Sequence, residues 1–147
     1  MSLFESALFE CVEMQLPLRV TAAKRGIGSF LTIELSETEK TNEQWSIWIY
    51  LCDWAFLKDE NDLLNSDSED GSAYEGTLEN ILGLRLEGVV AGKGNESCEF
   101  TFSNGLLLFV DDASDIYGPR KDLFMLFHGR KCVGAFRSGI GLVPSNW

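Results

Sequence analysis

The residue types that could carry catalysis are few, and the chain contains a single histidine, His128. Any Ser-His-Asp or Cys-His arrangement has to use it, because both need an imidazole as the general base. His128 flanks the turn of a predicted β-hairpin, where histidine is commonly a solvated surface residue. The G-x-S-x-G sequence that holds a hydrolase nucleophile does not occur in the chain. We therefore predict a protein that is not an enzyme and has no catalytic residues.

The glycine-containing stretches match nucleotide-binding motifs only in part. In residues 92–94, Lys93 is followed by glycine instead of the Ser or Thr of a phosphate-binding loop, and Glu87 stands where that loop has its first glycine. Residues 26–28 and 139–141 lack the third glycine of a dinucleotide-binding fingerprint. We interpret all three stretches as turns and predict no cofactor.

Candidate metal ligands are poorly spaced. An EF-hand loop needs glycine at position six and glutamate at position twelve, whereas a loop starting at Asn65 has Asp70 and Gly76 there. The four cysteines contain no C-x-x-C pair, and His128 alone cannot complete a zinc site with them. They are Cys11, Cys52, Cys98 and Cys132, and we predict that they are reduced and buried. No metal site is therefore expected.

Charge is concentrated in one third of the chain. The 147 residues include 12 basic and 23 acidic residues, a formal net charge of −11. The segment from Glu34 to Glu79 contains thirteen acidic residues against Lys40 and Lys58. Direct binding to nucleic acid is disfavoured, because phosphate neutralisation needs clustered Lys and Arg. A cationic protein is the partner that this charge favours.

An aromatic segment precedes the most acidic stretch. Residues 45–56, WSIWIYLCDWAF, predict one long strand with apolar side chains on both faces. Such a strand is either covered on both sides or presents one face to a partner. The candidate partner-binding residues are Trp48, Trp54, Asp59, Glu60, Asp62, Asp67, Glu69 and Asp70. The alternatives are that the tryptophans are core residues, or that they line the pocket of a small-ligand-binding or hydrolytic β-domain.

The hydrophobic pattern predicts a mainly β protein, an antiparallel sheet or a sandwich or half-barrel of seven or eight strands. One domain spans residues 1–147, with a mobile acidic loop at about 58–74 and one helical turn between Gly76 and Leu84. A short N-terminal helix is predicted near residues 3–12, and strands at 16–23, 30–35, 84–90 and 142–147. Hairpins are predicted at 98–110, with a type I′ turn at Asn104-Gly105, and at 123–136, turning at Gly129-Arg130. The type I′ register places Phe100 and Phe102 beside Leu107 and Phe109.

No apolar stretch is long enough to span a membrane, and the N-terminus lacks the basic start of a signal peptide. Glu5, Glu10 and Glu13 lie where a signal peptide would be uncharged. A cytoplasmic protein that does not bind membranes is therefore expected.

The sequence of residues 98–108, CEFTFSNGLLL, together with the hairpin at 123–136, resembles small bacterial immunity proteins of polymorphic-toxin and contact-dependent inhibition systems. This resemblance implies a cytoplasmic inhibitor that neutralises one cognate toxin by occluding its active site. It assigns no individual residue a role.

We expect the isolated protein to retain no stoichiometric zinc or calcium after extensive dialysis, because neither ion finds a ligand set with the required spacing. Elemental analysis of the dialysed protein measures this directly. One retained equivalent of either metal would contradict the prediction.

Overall fold

β-strands make up most of the computed structural model, which describes residues 17–26, 30–36, 44–49, 52–59, 61–65, 71–111 and 122–144. The strands are β1 Leu18–Arg25, β2 Leu31–Ser36, β3 Gln44–Ile49, β4 Asp53–Lys58, β5 Asn61–Asn65, β6 Arg85–Ala91, β7 Ser97–Phe102, β8 Leu107–Asp111, β9 Asp122–His128, β10 Lys131–Arg137 and β11 Gly141–Pro144. One helix, α1, spans Gly71–Ile81, and a 3-10 turn spans Lys93–Asn95.

All eleven strands belong to one antiparallel sheet with the order β11-β10-β9-β3-β2-β1-β6-β7-β8-β4-β5. Its weakest junction lies between β1 and β6, where only Leu18↔Leu86 and Arg19↔Arg85 are paired. This junction separates a first half (β1, β2, β3, β9, β10 and β11) from a second half (β4, β5, β6, β7 and β8). A mainly β, antiparallel fold is therefore confirmed, but the predicted count of seven or eight strands is wrong.

The sheet bends at this junction, so that its two halves pack face to face. Phe100 on β7 and Phe124 on β9 are five strands apart, about 24 Å in a flat sheet, yet their ring centroids are 5.1 Å apart. The 3-10 turn of the second half also reaches the β10–β11 turn, where the Gly139 N–H donates to the Asn95 carbonyl over 3.0 Å. The two halves therefore form a β-sandwich around one core.

Alternation of side chains along the strands fills this core. Leu31, Ile33 and Leu35 on β2 are each at most 1% exposed, as predicted for the odd-numbered face. Helix α1 contributes Leu78 and Ile81 to the same cluster and contacts β1 and β5, one strand from each half. The helix thus bridges the halves and shields part of the core from water.

The predicted acidic loop at 58–74 is partly regular structure instead. Residues 61–65 form β5, which pairs with β4, and α1 begins at Gly71. Leu64 is the physical reason, because it is 2% exposed and pairs with Phe56, which anchors the strand in the core. Residues 66–70 and the predicted N-terminal helix lie outside the described residues.

The predicted strand at 45–56 is two strands in different halves of the sandwich. β3 ends at Ile49 and β4 begins at Asp53, and the two strands are six positions apart in the sheet. β3 pairs instead with β9, with Trp45 opposite His128. The distant partners are β9 at 122–128 for β3 and β8 at 107–111 for β4, and a local hydrophobic pattern gives no sign of such pairing.

The turn at Asn104-Gly105 joins β7 and β8 as predicted, but it is not type I′. Only Gly105 has positive φ, at 85°, and its N–H donates to the Phe102 carbonyl over 3.1 Å. The three-residue connection pairs Phe100 with Leu108, one residue away from the predicted register. Phe100, Phe102 and Leu108 consequently face the core, whereas Leu107 and Phe109 face outward.

The hairpin predicted at 123–136 is confirmed. β9 and β10 pair across a turn at Gly129-Arg130, and only Gly129 has positive φ, at 65°. The Gly129 N–H also donates to the Gln44 carbonyl over 2.7 Å, which extends the β3–β9 pairing to the turn. The C-terminal strand forms as β11, and residues 145–147 lie outside the described range.

Replacing Gly105 by Ala should lower the free energy of unfolding by about 1 kcal/mol, because a Cβ is disfavoured at φ 85° although nothing lies within 4 Å of it. Gly76→Ala is the matched control. Gly76 is exposed within α1 and equally uncrowded, so alanine should raise stability by about 0.5–1 kcal/mol. Denaturant unfolding of both variants measures the two shifts, and equal signs would contradict the assigned turn.

Candidate binding surface

Among the residues that the structure describes, the two halves of the sandwich have opposite net charge. Counted over the described strands and their turns, and leaving out helix α1, which contacts both halves, the first half contains six basic and two acidic residues, and the second half three basic and seven acidic residues. The first set is Arg19, Lys24, Arg25, Arg130, Lys131 and Arg137 with Glu34 and Asp122; the second is Lys58, Arg85 and Lys93 with Asp53, Asp59, Asp62, Glu87, Glu96, Glu99 and Asp111. The outer faces point in opposite directions, because the inner faces pack on each other.

The outer surface of β4, β7 and β8 combines apolar side chains with carboxylates, and we call it the acidic face. Its apolar members are Leu57, Leu107 and Phe109, all half-buried, and its acidic members are Asp53, Glu99 and Asp111, all exposed. Cross-strand register places these residues in adjacent rows: Leu57 is opposite Leu107, Phe109 is opposite Glu99, and Asp53 is opposite Asp111. Leu63 on the neighbouring edge strand is 47% exposed.

Asp53 and Asp111 form a like-charged cross-strand pair. Side chains directly opposite each other on antiparallel strands have Cβ atoms about 4.5–5.5 Å apart, where like charges are destabilising. Glu99 lies diagonally from Asp111 in the same register and adds a third carboxylate. The three groups repel one another at the free surface, and a cation placed between them would relieve that repulsion.

The structure does not bring the two predicted tryptophans together. Trp54 is 2% exposed and faces the core from the second half, so it leaves the candidate surface, as expected from the alternative that it is a core residue. Trp48 is half-buried on the outer side of the first half. The break between β3 and β4 explains this outcome. In one continuous strand Trp48 and Trp54 would lie on the same face, whereas in two separate strands Trp48 faces outward and Trp54 faces the core.

The predicted acidic residues are only partly described. Asp59 is exposed in the β4–β5 turn with φ 53°, next to β4. Asp62 lies on β5, and nothing is described of its side chain. Glu60, Asp67, Glu69 and Asp70 lie outside the described residues. The prediction missed Glu99 and Asp111, because the hairpin register that places them beside β4 depends on a turn type that the sequence leaves ambiguous.

The outer surface of β2, β3 and β9 is aromatic, and we define Phe30, Trp48, Met125 and Phe127 as the aromatic face. The Trp48 ring lies 4.3 Å from Phe127 and 5.5 Å from Phe30, measured between centroids. Met125 lies directly opposite Trp48 in the strand register. All four side chains are half-buried, so this face keeps apolar surface in contact with water.

A surface cavity lies beside the aromatic face at the tip of the β9–β10 hairpin. It has a volume of about 500 Å³ and is lined by Phe127, His128, Arg130, Lys131 and Cys132. The His128 ring stacks on Trp45, with 4.2 Å between centroids and 2° between planes. Stacking holds the imidazole against a core tryptophan that is 5% exposed. The only histidine thus has a packing role in the described structure.

No known family, characterised protein or solved structure matches the chain. Within the described ranges, no helix has the length and apolar character that crossing a membrane requires. Nor do any three His, Cys, Asp or Glu residues among them converge into a set of metal ligands. The charge and shape of the two outer faces are therefore the features from which function can be inferred.

Two thiols are sealed in the core. Cys52 and Cys98 are at most 3% exposed, and the Cys52 Sγ donates to the Leu123 carbonyl over 3.4 Å. Burial, and secondarily the neighbouring Cys52, raise the pKa of the Cys98 thiol well above its ordinary value. A thiol that stays protonated is a poor nucleophile, so Cys98 is inert in the folded protein, and burial shields Cys52 from reagents in water. Cys132 is only half-buried, on β10.

We expect Cys132→Ser to remove one equivalent from the reaction of the folded protein with an aromatic disulfide reagent, whereas Cys52→Ser and Cys98→Ser remove none.

The contribution of Cys98 to the free energy of unfolding should fall as pH rises above about 8.5, because the unfolded chain then ionises this thiol and the folded state does not. Rapid reaction of Cys98 in the folded protein would contradict the buried assignment.

Proposed function

We propose that this protein is a non-enzymatic binding protein that uses its acidic face to bind a cationic protein. The finer proposal is an immunity protein or inhibitor that neutralises a cognate basic toxin by covering the toxin's active site. The observation that carries the proposal is the pairing of Asp53 with Asp111 beside a half-exposed apolar patch.

The like-charged pair is an arrangement suited to binding a cation. Each carboxylate raises the electrostatic energy of the other in the free protein, and a Lys or Arg of the partner would remove this energy on binding. Because the cost exists only in the unbound state, the pair favours the complex over the free protein. Arg can also bind two carboxylate oxygens at once, which would fix its orientation.

The apolar patch supplies the second component of a binding surface. Leu57, Leu107 and Phe109 are flanked by acidic residues, and an apolar centre with a polar rim is the anatomy of many protein interfaces. Burial of these side chains would provide affinity, while the carboxylates exclude partners of like charge. Together they favour a partner surface that has an exposed apolar anchor among basic residues.

The overall charge supports rapid association with such a partner. The chain has a formal net charge of −11, and the described second half contains seven acidic residues against three basic ones. A field of one sign steers an oppositely charged partner toward the surface and raises the association rate. Many toxin domains are nucleases whose active sites are cationic because they bind phosphate. An acidic inhibitor can occupy such a site in place of the nucleic acid.

The small-ligand alternative has a different location from the one predicted. The cavity at the β9–β10 tip contains Phe127 with two basic residues, Arg130 and Lys131, but no tryptophan. Its volume of about 500 Å³ falls in the range of small-molecule sites. Its two basic side chains favour an organic anion as the ligand. Because the cavity does not include the acidic face, such a ligand should not displace the cationic partner.

The test is association kinetics with a cationic toxin domain, chosen from the genes that neighbour this one. Asp53→Asn combined with Asp111→Asn should slow association several-fold and flatten its dependence on salt, because steering depends on these charges. The same change should raise the free energy of unfolding by about 0.2–1 kcal/mol, because it removes the repulsion. Rates are measured at low and high salt.

The matched control is Glu79→Gln with Glu87→Gln, which removes the same charge from exposed positions outside the acidic face. A rate equally reduced in both variants would show that only total charge matters, which contradicts a specific acidic face. Neutralising Asp67, Glu69 and Asp70 together tests whether this predicted segment also guides association. Equal rates for that variant and the unmodified protein would exclude it.

A further inference from the structure

The aromatic face and the acidic face have complementary rims, and they lie on opposite sides of the molecule. We infer that the aromatic face of one molecule binds the acidic face of a second copy, so that the protein associates head to tail. The aromatic face has no role in the proposed function. The acidic face serves both contacts, so a cationic partner and a second copy would compete for it.

The aromatic face is built as a continuous row across neighbouring strands. Lys24 on β1 is opposite Thr32, Thr32 is opposite Trp48, and Trp48 is opposite Met125. The row therefore begins with a cation and continues into aromatic and apolar surface. Phe127 lies on the same face, two residues along β9 from Met125.

Basic residues lie at one end of the row, on β1, and beside the face at the tip of the β9–β10 hairpin. Arg130 and Lys131 are exposed at the β9–β10 turn, beside Phe127, and Lys24 is exposed on β1. The apolar side chains of the aromatic face thus have three exposed basic residues at their margin. Among the outward side chains of these rows, Glu34 opposite Ser46 is acidic, and it is half-buried.

The acidic face repeats this design with the opposite sign. Leu57, Leu107 and Phe109 form its apolar part, and three exposed carboxylates lie at its margin. A cation from the rim of the aromatic face would relieve the repulsion between Asp53 and Asp111. The two faces therefore match both in apolar character and in charge, which identifies a second copy of this chain as the occupant.

The positions of the faces determine the form of the assembly. A contact between two different faces on opposite sides of a molecule is heterologous. After two copies bind, the pair still has one free aromatic face and one free acidic face. The assembly consequently grows as an open chain and does not stop at a symmetric dimer.

The contact is of the weak, reversible class. The row from Lys24 to Met125 crosses three strand spacings, so a face two to three rows deep covers on the order of 200 Å², and two such faces bury less than the roughly 1,200 Å² of a stable complex. The net charge of −11 also repels copies at long range. Screening at physiological salt, with a Debye length of about 8 Å, weakens that repulsion more than it weakens contacts between neighbouring charges.

Sedimentation of the purified protein alone, at increasing concentration and physiological salt, measures this association. Arg130→Glu with Lys131→Glu blocks the aromatic face, and Asp53→Lys with Asp111→Lys blocks the acidic face. The average mass of the unmodified protein should rise continuously with concentration, whereas each blocked variant should remain a monomer. An equimolar mixture of the two variants should form one-to-one pairs that grow no further, because one intact face of each type remains.

Glu79→Lys with Glu87→Lys changes the charge by the same amount as the acidic-face variant but lies outside it, and should associate like the unmodified protein. Lys24→Glu, at the other end of the aromatic face, is the second variant if the first does not fold. A monomer at every concentration, a mass that stops at a dimer, or a mixture without pairs would each overturn the inference. No toxin is present, so this result is independent of the proposed function.

Discussion

The sheet can enclose its own core because two of its strands are barely joined. β1 and β6 share only two residue pairs, and the long antiparallel ladders lie on either side of them. The two halves meet at this short ladder, and their apolar faces pack on each other instead of facing water. The short junction lets the sheet turn back, which brings the Phe100 and Phe124 rings together and buries the alternating side chains of both halves.

This bend also determines what the protein can present to others. Once the inner faces are occupied by the core, each half has one outer face, and the two must point away from each other. On the described strands, basic residues lie mostly in the first half and acidic residues mostly in the second half. The fold thereby places charges of opposite sign on opposite sides of the described structure. The proposed interactions with a cationic protein and with a second copy both depend on that separation.

The sequence was informative wherever local pattern decided the structure. Alternation identified the inner face of β2, and Gly129-Arg130 marked the β9–β10 turn correctly. It failed where both faces of a segment were apolar, because residues 45–56 then contained no sign of the break after Ile49. It also failed at Asn104-Gly105, where one extra turn residue reversed the facing of Leu107 and Phe109. The acidic face depends on that register and on pairing between distant strands, so periodicity alone did not reveal it.

The pairing of β3 with β9 has a consequence for how the chain is made. The ribosome completes β1, β2 and β3 before residues 50–121 exist, and β9 is the neighbour that covers the free side of β3. At about 5–20 residues per second, the missing stretch takes about 4 to 15 s to synthesise. During that interval the nascent chain carries a three-stranded meander whose Trp45, Ile47 and Ile49 lack their native cover. Contacts of such high sequence separation also favour slow refolding of the complete chain. A cell that produces this protein would therefore protect its first fifty residues, as they leave the ribosome, from pairing with the wrong strand.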